Sequence, residues 1–160
     1  MKLLFIGDVV GKSGCDFLAA NIFKIKKEKG IDITVVNGEN SAQGNGMTKQ
    51  SAEFLLANGA DVITTGNHSF KRRESVSIYE ENDVVLRPSN YPEGVIGKGV
   101  TTLDMGRFSV AIINLMGVVY MEPIGNPFDE ADRLLKEIDT PNIFVDFHAE
   151  ATAEKKCMGQ

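Results

Sequence analysis

The chain has 160 residues, of which 42% are hydrophobic and 24% are charged, and these values exclude a disordered chain and predict a globular domain with its own core. Its net charge of −5 excludes the basic surface that a nucleic-acid-binding protein presents, so we expect no stable complex with nucleic acid. No apolar run approaches the roughly 20 residues of a membrane span, and no signal peptide is recognisable, so we expect a cytoplasmic protein without membrane contact. Cys15 and Cys157 lack paired spacing, so we expect both thiols to be free.

The first half of the sequence alternates predicted strands and helices. Three short apolar segments predict strands, over residues 2–7, 31–38 and 61–66. Apolar residues at helical spacing predict two helices between them, the first capped by Ser13 and ended by Gly30, the second capped by Thr48 and ended by Gly59. Strands that are joined through helices run parallel, so this half predicts βαβ units.

The second half predicts a more mixed arrangement. In chain order, the patterns indicate a helix over 72–82, a strand over 84–86, a hairpin from 100–103 and 108–115, a helix that begins at Asn126-Pro127, and a last strand over 142–147. We expect Leu134, Leu135 and Ile138 to form the buried face of that helix, and the residues after Phe147 to add no core element. Together these elements predict a single α/β domain over 1–160, with a largely parallel sheet flanked by helices and an incomplete C-terminal end.

The stretch FIGDVVGKSG, residues 5–14, has the appearance of a phosphate-binding P-loop. A Walker A loop needs four residues between its first glycine and Gly-Lys, whereas only three separate Gly7 from Gly11. Such proteins also carry an acid at the end of a later strand for Mg²⁺, and Asp61 opens its strand instead. The spacing therefore disfavours a P-loop, and Asp8, just past the first strand, becomes the residue of interest.

Polar side chains follow four of the predicted strands: Asp8, Glu39 with Asn40, Asn67 with His68, and His148 with Glu150. Because the carboxyl ends of parallel strands meet at one edge of a sheet, we expect these side chains to converge. Carboxylates, amide oxygens and neutral imidazoles are ligands for Mn²⁺, Fe and Zn²⁺, and a bridging carboxylate can hold two ions about 3.5–4 Å apart. The sequence thus predicts a two-metal site at this edge.

These stretches together resemble the calcineurin-like metallophosphoesterases, and more closely a bacterial subfamily of cyclic-nucleotide phosphodiesterases. The resemblance is carried by FIGDVVGKSG, VNGENSAQGNG, DVITTGNH, LRPSNYP, INLMG, NPF and VDFHAEATAEK, which span nearly the whole chain. It implies the two-sheet sandwich of that family and an enzyme that hydrolyses 2′,3′- or 3′,5′-cyclic nucleotides or another small phosphodiester. It also implies two metal ions, with Fe or Mn favoured over Zn or Mg.

The resemblance further implies a role for each polar residue. It places Asp8, Glu39 and Asn40 on one metal and Glu39, Asn67 and His148 on the other, so that Glu39 bridges the two. His68 would be the general acid that protonates the leaving alkoxide, while hydroxide activated by the two metals attacks phosphorus from the opposite side.

Two departures from the resembled pattern leave alternatives open. Ser69-Phe70-Lys71 stands where the subfamily has Thr-Trp-Asp, and a later segment with one further histidine for each metal is not reached. The second departure predicts weaker metal binding and leaves a catalytically impaired form that acts as an oligomeric binding protein, because uncovered sheet edges favour association. A nucleotide-binding P-loop protein is the third hypothesis.

Overall fold

The strands of the protein form two sheets that face each other, as a computed structural model of residues 1–160 shows. The strands are β1 (Leu3–Ile6), β2 (Ile33–Asn37), β3 (Val62–Thr64), β4 (Val85–Leu86), β5 (Val100–Asp104), β6 (Ser109–Met116) and β7 (Ile143–His148). The helices are α1 (Gly11–Lys29), α2 (Lys49–Ala57), α3 (Val76–Glu81), α4 (Pro127–Glu137) and α5 (Thr152–Met158), and a 3₁₀ turn over Arg73–Ser75 precedes α3.

The first sheet contains β1 to β4 in sequence order, and all of its strands are parallel. Its outer face carries Val36, Ile63 and Val85, which pack against apolar residues of α1, α2 and α3. This is the arrangement that the βαβ pattern predicted, because each helix returns the chain to the same end of the sheet.

The second sheet contains β5, β6 and β7, in which β5 and β6 are antiparallel and β6 and β7 are parallel. Its inner face packs Val110 and Ile112 against residues of the first sheet such as Ile33 and Val35, which forms the apolar layer between the sheets. Its outer face is covered by α4, where Leu134 packs on residues such as Leu115. The layers are therefore helices, sheet, sheet and helix.

A fully buried asparagine ties the two sheets together at the carboxyl ends of their strands. Asn114 of β6 donates from Nδ2 to the carbonyl oxygens of Thr65 (2.8 Å) and Leu86 (3.0 Å), which follow or end strands of the first sheet. These bonds satisfy two buried carbonyls that have no strand partner, and they fix the edge where the predicted site residues lie.

Some of the predicted element boundaries were wrong. Helix α1 begins at Gly11 after Val10, with no side-chain cap, so Ser13 lies within the helix. Leu135 is 50% exposed rather than buried. The segment after Phe147 forms α5, held by buried Glu154, whose carboxylate accepts hydrogen bonds from the backbone N–H groups of Val118 and Val119. A buried carboxylate among polar residues leaves no apolar pattern in the sequence, which is why this helix was missed.

The edge strands β1 and β7 lie on the same side of the sandwich and are half-buried, whereas β2, β3 and β4 are fully buried. The rings of Phe5 and Phe144 stack there with centroids 5.5 Å apart. Phe17 and Phe23 of α1 are 72% and 57% exposed. No helix of the chain is both long and apolar enough to cross a membrane, and both cysteines are free, with Cys15 buried and Cys157 exposed.

Candidate metal centre

Glu150 is exposed and makes no side-chain hydrogen bond or ion pair with the other candidates. The structure brings together the remaining six residues that the sequence pointed to. They come from three loops of the first sheet and from the last residue of β7, and side-chain hydrogen bonds or ion pairs connect them into one network: Asp8, Glu39, Asn40, Asn67, His68 and His148. This network, called the rim network below, lies where the carboxyl ends of β1, β2 and β3 meet the carboxyl end of β7.

One half of the rim network runs from Asp8 through Asn40 to His68. Asn40 Nδ2 donates to Asp8 Oδ1 (2.7 Å), and Asn40 Oδ1 lies 2.6 Å from His68 Nδ1. Because an ionised carboxylate only accepts hydrogen bonds, Asp8 sets the orientation of the Asn40 amide. The amide oxygen in turn needs a donor, so His68 carries a proton on Nδ1 and directs it to Asn40.

The other half runs through Glu39, whose carboxylate is almost fully buried at 2% exposure. Glu39 Oε2 accepts a hydrogen bond from the backbone N–H of His68 (3.0 Å), while Oε1 lies 3.3 Å from His148 Nδ1. His148 Nε2 then lies 3.0 Å from Asn67 Oδ1. Glu39 is therefore the middle member, with one oxygen directed to each half of the network.

In the turn after β1, the strained backbone conformation occurs at a site residue, Asp8. Asp8 adopts a left-handed backbone conformation with φ +40°, and Gly7 does not. Asp is one of the few residues that tolerate this region, at a cost of order 1–3 kcal/mol. The backbone carbonyl of Asn40 accepts the N–H of Gly11 (2.9 Å), which holds the start of α1 against the Asn40 loop.

Buried hydroxyl groups anchor the loop that carries Asn67 and His68. Ser69 is fully buried and donates to the Gly66 carbonyl, and the Thr65 hydroxyl donates to the Leu86 carbonyl. Tyr79 OH donates to Thr65 Oγ1 (3.2 Å), and burial raises the pKa of Tyr79 to about 12, which keeps the phenol protonated. Ser69 thus supplies a hydroxyl where the resembled pattern has Thr.

Gly66 makes room for His148. A Cβ atom at residue 66 would lie 2.4 Å from Cγ and 2.6 Å from Nδ1 of the His148 ring, which is closer than real Cβ contacts. The first sheet can therefore accept the histidine of the second sheet only because residue 66 has no side chain.

A polar layer lies beneath the rim network, and it was not predicted from the sequence. Asn37 Oδ1, Asn114 Oδ1 and Asp146 Oδ2 are buried without a hydrogen-bond partner. Burial raises the pKa of Asp146, while the nearby Thr64, His148 and Asn37 act to lower it. The available signal was a polar residue at an inward position of an otherwise apolar strand.

The rim network fits divalent cations by the chemistry of its donors. No three His, Cys, Asp or Glu side chains form a metal-binding group by themselves, because amides stand between them and pair with them. With the amide oxygens included, the predicted ligands are two carboxylates, two amides and the imidazole of His148, which is a set that Mn, Fe and Zn accept. The unpaired buried oxygens beneath them add an excess of acceptors that positive charge would offset.

Lys12, the lysine of the P-loop-like stretch, is remote from this chemistry. Its ammonium group pairs with Asp16 one turn along α1, and its side chain is 86% exposed. The stretch around it contributes Asp8 to the rim network, and the Lys12 ammonium group makes no hydrogen bond or ion pair with any member of that network.

Comparison with known proteins identifies relatives along the whole chain. A family model described as YmdB-like protein matches residues 4–160. A 2′,3′-cyclic-nucleotide 2′-phosphodiesterase of Bacillus subtilis is 42% identical over 161 residues, which cover 99% of this chain and 61% of the relative. The chain thus spans about three-fifths of the length of that relative.

Solved structures show the same architecture. A hypothetical protein from Thermus thermophilus superposes with a TM-score of 0.93 at 37% identity, over 99% of this chain and 62% of the other. A novel phosphatase from Mycoplasma pneumoniae superposes with a TM-score of 0.91 at 31% identity, over 98% of this chain and 58% of the other. The predicted calcineurin-like metallophosphoesterase fold is confirmed.

Proposed function

The chain belongs to the YmdB-like protein family, and on this premise we propose that it is a metal-dependent phosphodiesterase that acts on cyclic nucleotides. The observation that carries the proposal is the rim network, in which residues from four strand ends meet around the buried carboxylate of Glu39. The rim network joins residues of both sheets. If each polar residue only stabilised its own turn, there would be no reason for all six to meet.

The substrate proposed first is a 2′,3′-cyclic nucleotide. The Bacillus subtilis relative, at 42% identity, carries that substrate in its name, together with cleavage at the 2′ ester. The same reaction here would open the cyclic phosphate at O2′ and leave the nucleoside 3′-phosphate. A 3′,5′-cyclic nucleotide or another small phosphodiester is the next candidate.

The metals proposed are a pair of Fe or Mn ions, with Zn or Mg as the next choices. Asp8 and Asn40 would hold one ion, Asn67 and His148 the other, and Glu39 both, because Glu39 has one oxygen directed to each half of the network. The ions would neutralise the phosphate oxygens and activate the attacking water.

His68 is proposed as the general acid. Its Nδ1–H is engaged by Asn40 Oδ1, which leaves Nε2 as the nitrogen that can give a proton to the departing O2′. A ribose alkoxide is a poor leaving group, so this proton is needed, and the Asn40 contact orients the ring for the transfer.

The direct test is hydrolysis of 2′,3′-cyclic AMP by the purified 160-residue chain with Mn²⁺, followed by ³¹P NMR. We expect turnover to 3′-AMP, loss of turnover in Asp8→Ala, and wild-type rates in the matched variant Lys12→Ala from the same stretch. A folded sample that is saturated with metal and shows no turnover would contradict the proposal. Mg²⁺-dependent ATP binding abolished by Lys12→Ala would support the P-loop hypothesis instead.

A second candidate is an oligomeric binding protein of impaired activity. It is favoured by the exposed Phe17 and Phe23 of α1 and by the half-buried outer strands β1 and β7. Light scattering of the purified chain tests it: a concentration-dependent oligomer without turnover supports this function, and an active monomer contradicts it.

A further inference from the structure

We infer that Arg72 is a positioning residue for the candidate metal centre, because it fastens the loop that carries Asn40 to the segment that carries His68. This inference rests on the proposed function, since it concerns the same site. Arg72 itself belongs to neither the predicted ligands nor the predicted acid, and it contacts none of them through its side chain.

The guanidinium group of Arg72 makes three hydrogen bonds, all of them to the loop that follows Asn40. Nε donates to the carbonyl oxygen of Asn45 (2.8 Å), and Nη2 donates to the carbonyl oxygen of Ala42 (3.1 Å) and to Gln43 Oε1 (3.3 Å). The acceptors are neutral oxygens, so these contacts serve the shape of the loop rather than charge neutralisation. The planar fork of Arg suits several acceptors at once, which a single ammonium group does not.

The loop needs such external support. Gln43, Gly44 and Gly46 have left-handed φ values of 54°, 78° and 81°, and the segment contains no helix or strand of its own. Its internal bonds are short turn bonds: the N–H groups of Gly44, Asn45 and Ala42 donate to the carbonyl groups of Asn40 (3.1 Å), Ala42 (3.1 Å) and Gly46 (3.0 Å). The conformation of the loop sets where the Asn40 backbone lies, and hence where its amide meets Asp8 and His68.

Gly46 shows that Arg72 and the loop fit each other closely. A Cβ atom at residue 46 would lie 2.9 Å from Cγ and 3.3 Å from Cδ of Arg72. The aliphatic stem of the arginine therefore passes directly over the glycine, and only the absence of a side chain allows the guanidinium group to reach the loop carbonyls.

At its other end, Arg72 belongs to the segment of the general acid. It lies four residues after His68, whose carbonyl accepts the N–H of Lys71 (3.2 Å). The Arg72 carbonyl accepts a hydrogen bond from the Ser75 hydroxyl (2.7 Å), and the same hydroxyl also reaches the Ser69 carbonyl (3.0 Å). The arginine thus anchors the Ala42–Asn45 part of the loop to this segment, whereas Gly11 N–H anchors the loop at the Asn40 carbonyl.

The experiment compares Arg72→Ala and Arg72→Lys with the matched control Arg73→Ala, which removes a neighbouring exposed arginine without a side-chain bond to the loop. Mn²⁺ binding is measured by calorimetry, turnover of 2′,3′-cyclic AMP is followed by NMR, and amide hydrogen exchange of Ala42, Gly44 and Asn45 is measured without metal. Loss of an interaction that orients a ligand typically weakens metal binding 10–100-fold. We expect that loss in Arg72→Ala, at least tenfold faster exchange at the three amides, partial rescue by Arg72→Lys, and wild-type behaviour of Arg73→Ala.

Unchanged exchange and Mn²⁺ affinity in folded Arg72→Ala would overturn the inference, even if the wild-type protein hydrolyses its substrate. If the wild-type protein lacks turnover, the proposed function fails, while the exchange rates still decide the role of Arg72. Arg72→Met provides a second route where Arg72→Ala does not fold, because it keeps an aliphatic stem over Gly46 and removes the three guanidinium hydrogen bonds. The same increase in exchange is expected there, and its absence would count against the inference.

Discussion

The two sheets contribute to the candidate metal centre in different ways. The first sheet supplies five of the six residues on three loops, and local hydrogen bonds to neighbouring backbone and hydroxyl groups hold those loops. The second sheet supplies only His148, which is the last residue of β7 and reaches the others across the space between the sheets.

The site residues of the first sheet are therefore positioned by their own loops, whereas His148 is positioned by the packing of the two sheets. Asn40 and His68 depend on the loops that carry them, so changes there should alter chemistry with little effect on folding. The position of His148 depends on how closely the two sheets pack. Changes at the joint, meaning the contacts between the sheets at Gly66 and Asn114, should therefore affect both the stability of the fold and the geometry of the metal centre. Five predictions test this separation, from the largest expected effect to the smallest.

Replacement of the proposed general acid, His68, tests a site residue that is positioned by its own loop. His68→Gln should lower kcat by about 10²–10⁴-fold, because the leaving alkoxide loses its proton donor. Mn²⁺ affinity should stay close to that of the wild type. The matched variant His148→Gln should instead weaken Mn²⁺ binding. Equal kcat values for His68→Gln and the wild type would remove His68 from the mechanism.

Gly66→Ala tests the joint between the sheets. Its Cβ would overlap the His148 ring at 2.4 Å, so we expect a loss of about 1–3 kcal/mol in the free energy of unfolding, with weaker Mn²⁺ binding. Gly7→Ala is the control, because a Cβ there lies no closer than 3.8 Å to any atom of another segment. Urea unfolding measures both variants, and similar losses in the two would show that the His148 contact is irrelevant.

Asn114→Leu tests the same joint without touching the rim network. The change leaves the Thr65 carbonyl without its donor and the Leu86 carbonyl with only the Thr65 hydroxyl, and we expect a loss of about 1–3 kcal/mol in stability. Asn142→Ala removes a similar bond at the other end of the second sheet, to the Ser109 carbonyl. If only Asn114→Leu also reduces turnover, the joint matters to the site.

The cap of α4 provides a change in stability that should leave the site intact. The side chain of Asn126 accepts a hydrogen bond from Phe128 N–H (3.0 Å) at the start of the helix. Asn126→Ala should cost about 1 kcal/mol, and Asn126→Asp should retain most of it. Turnover per folded molecule should match that of the wild type in both variants; a fall in either would mean that α4 influences the site.

Glu130 gives the smallest effect and a defined pH dependence. Hydrogen bonds from Arg133 hold the pKa of Glu130 below its usual value of 4.5, and the Ser89 hydroxyl adds to this. A depressed pKa in the folded state means that the contribution to stability is present above about pH 4.5 and is lost as the pH falls through the lower folded value.

The difference in urea midpoint between wild type and Glu130→Gln should therefore be small at pH 7 and should shrink below pH 4.5. Glu137→Gln, on the exposed side of the same arginine, is the control and should change less. A difference that grows as the pH falls would contradict this assignment.

Local signals in the sequence predicted local structure well where one residue decides it. Thr48 was predicted to cap α2, and its hydroxyl accepts the Ser51 N–H; Gly30 was predicted to end α1, and it adopts φ 63°. Ser13 was predicted as a cap by the same rule and was wrong, because α1 begins two residues earlier, at Gly11, whose N–H is held by the Asn40 carbonyl. A capping rule does not include a contact from a loop about thirty residues away.

The sequence by itself determined the fold class, the strand ends and the six polar residues that follow them. These features are local, because strand and helix periodicity and the polarity of a loop are written in neighbouring residues. The family resemblance already implied a central position for Glu39, but only the tertiary structure decided that Gly66 admits His148 and that Arg72 contacts the Asn40 loop. Those relations join residues that are distant in sequence, and they depend on the distance between packed sheets and loops, which no local pattern encodes.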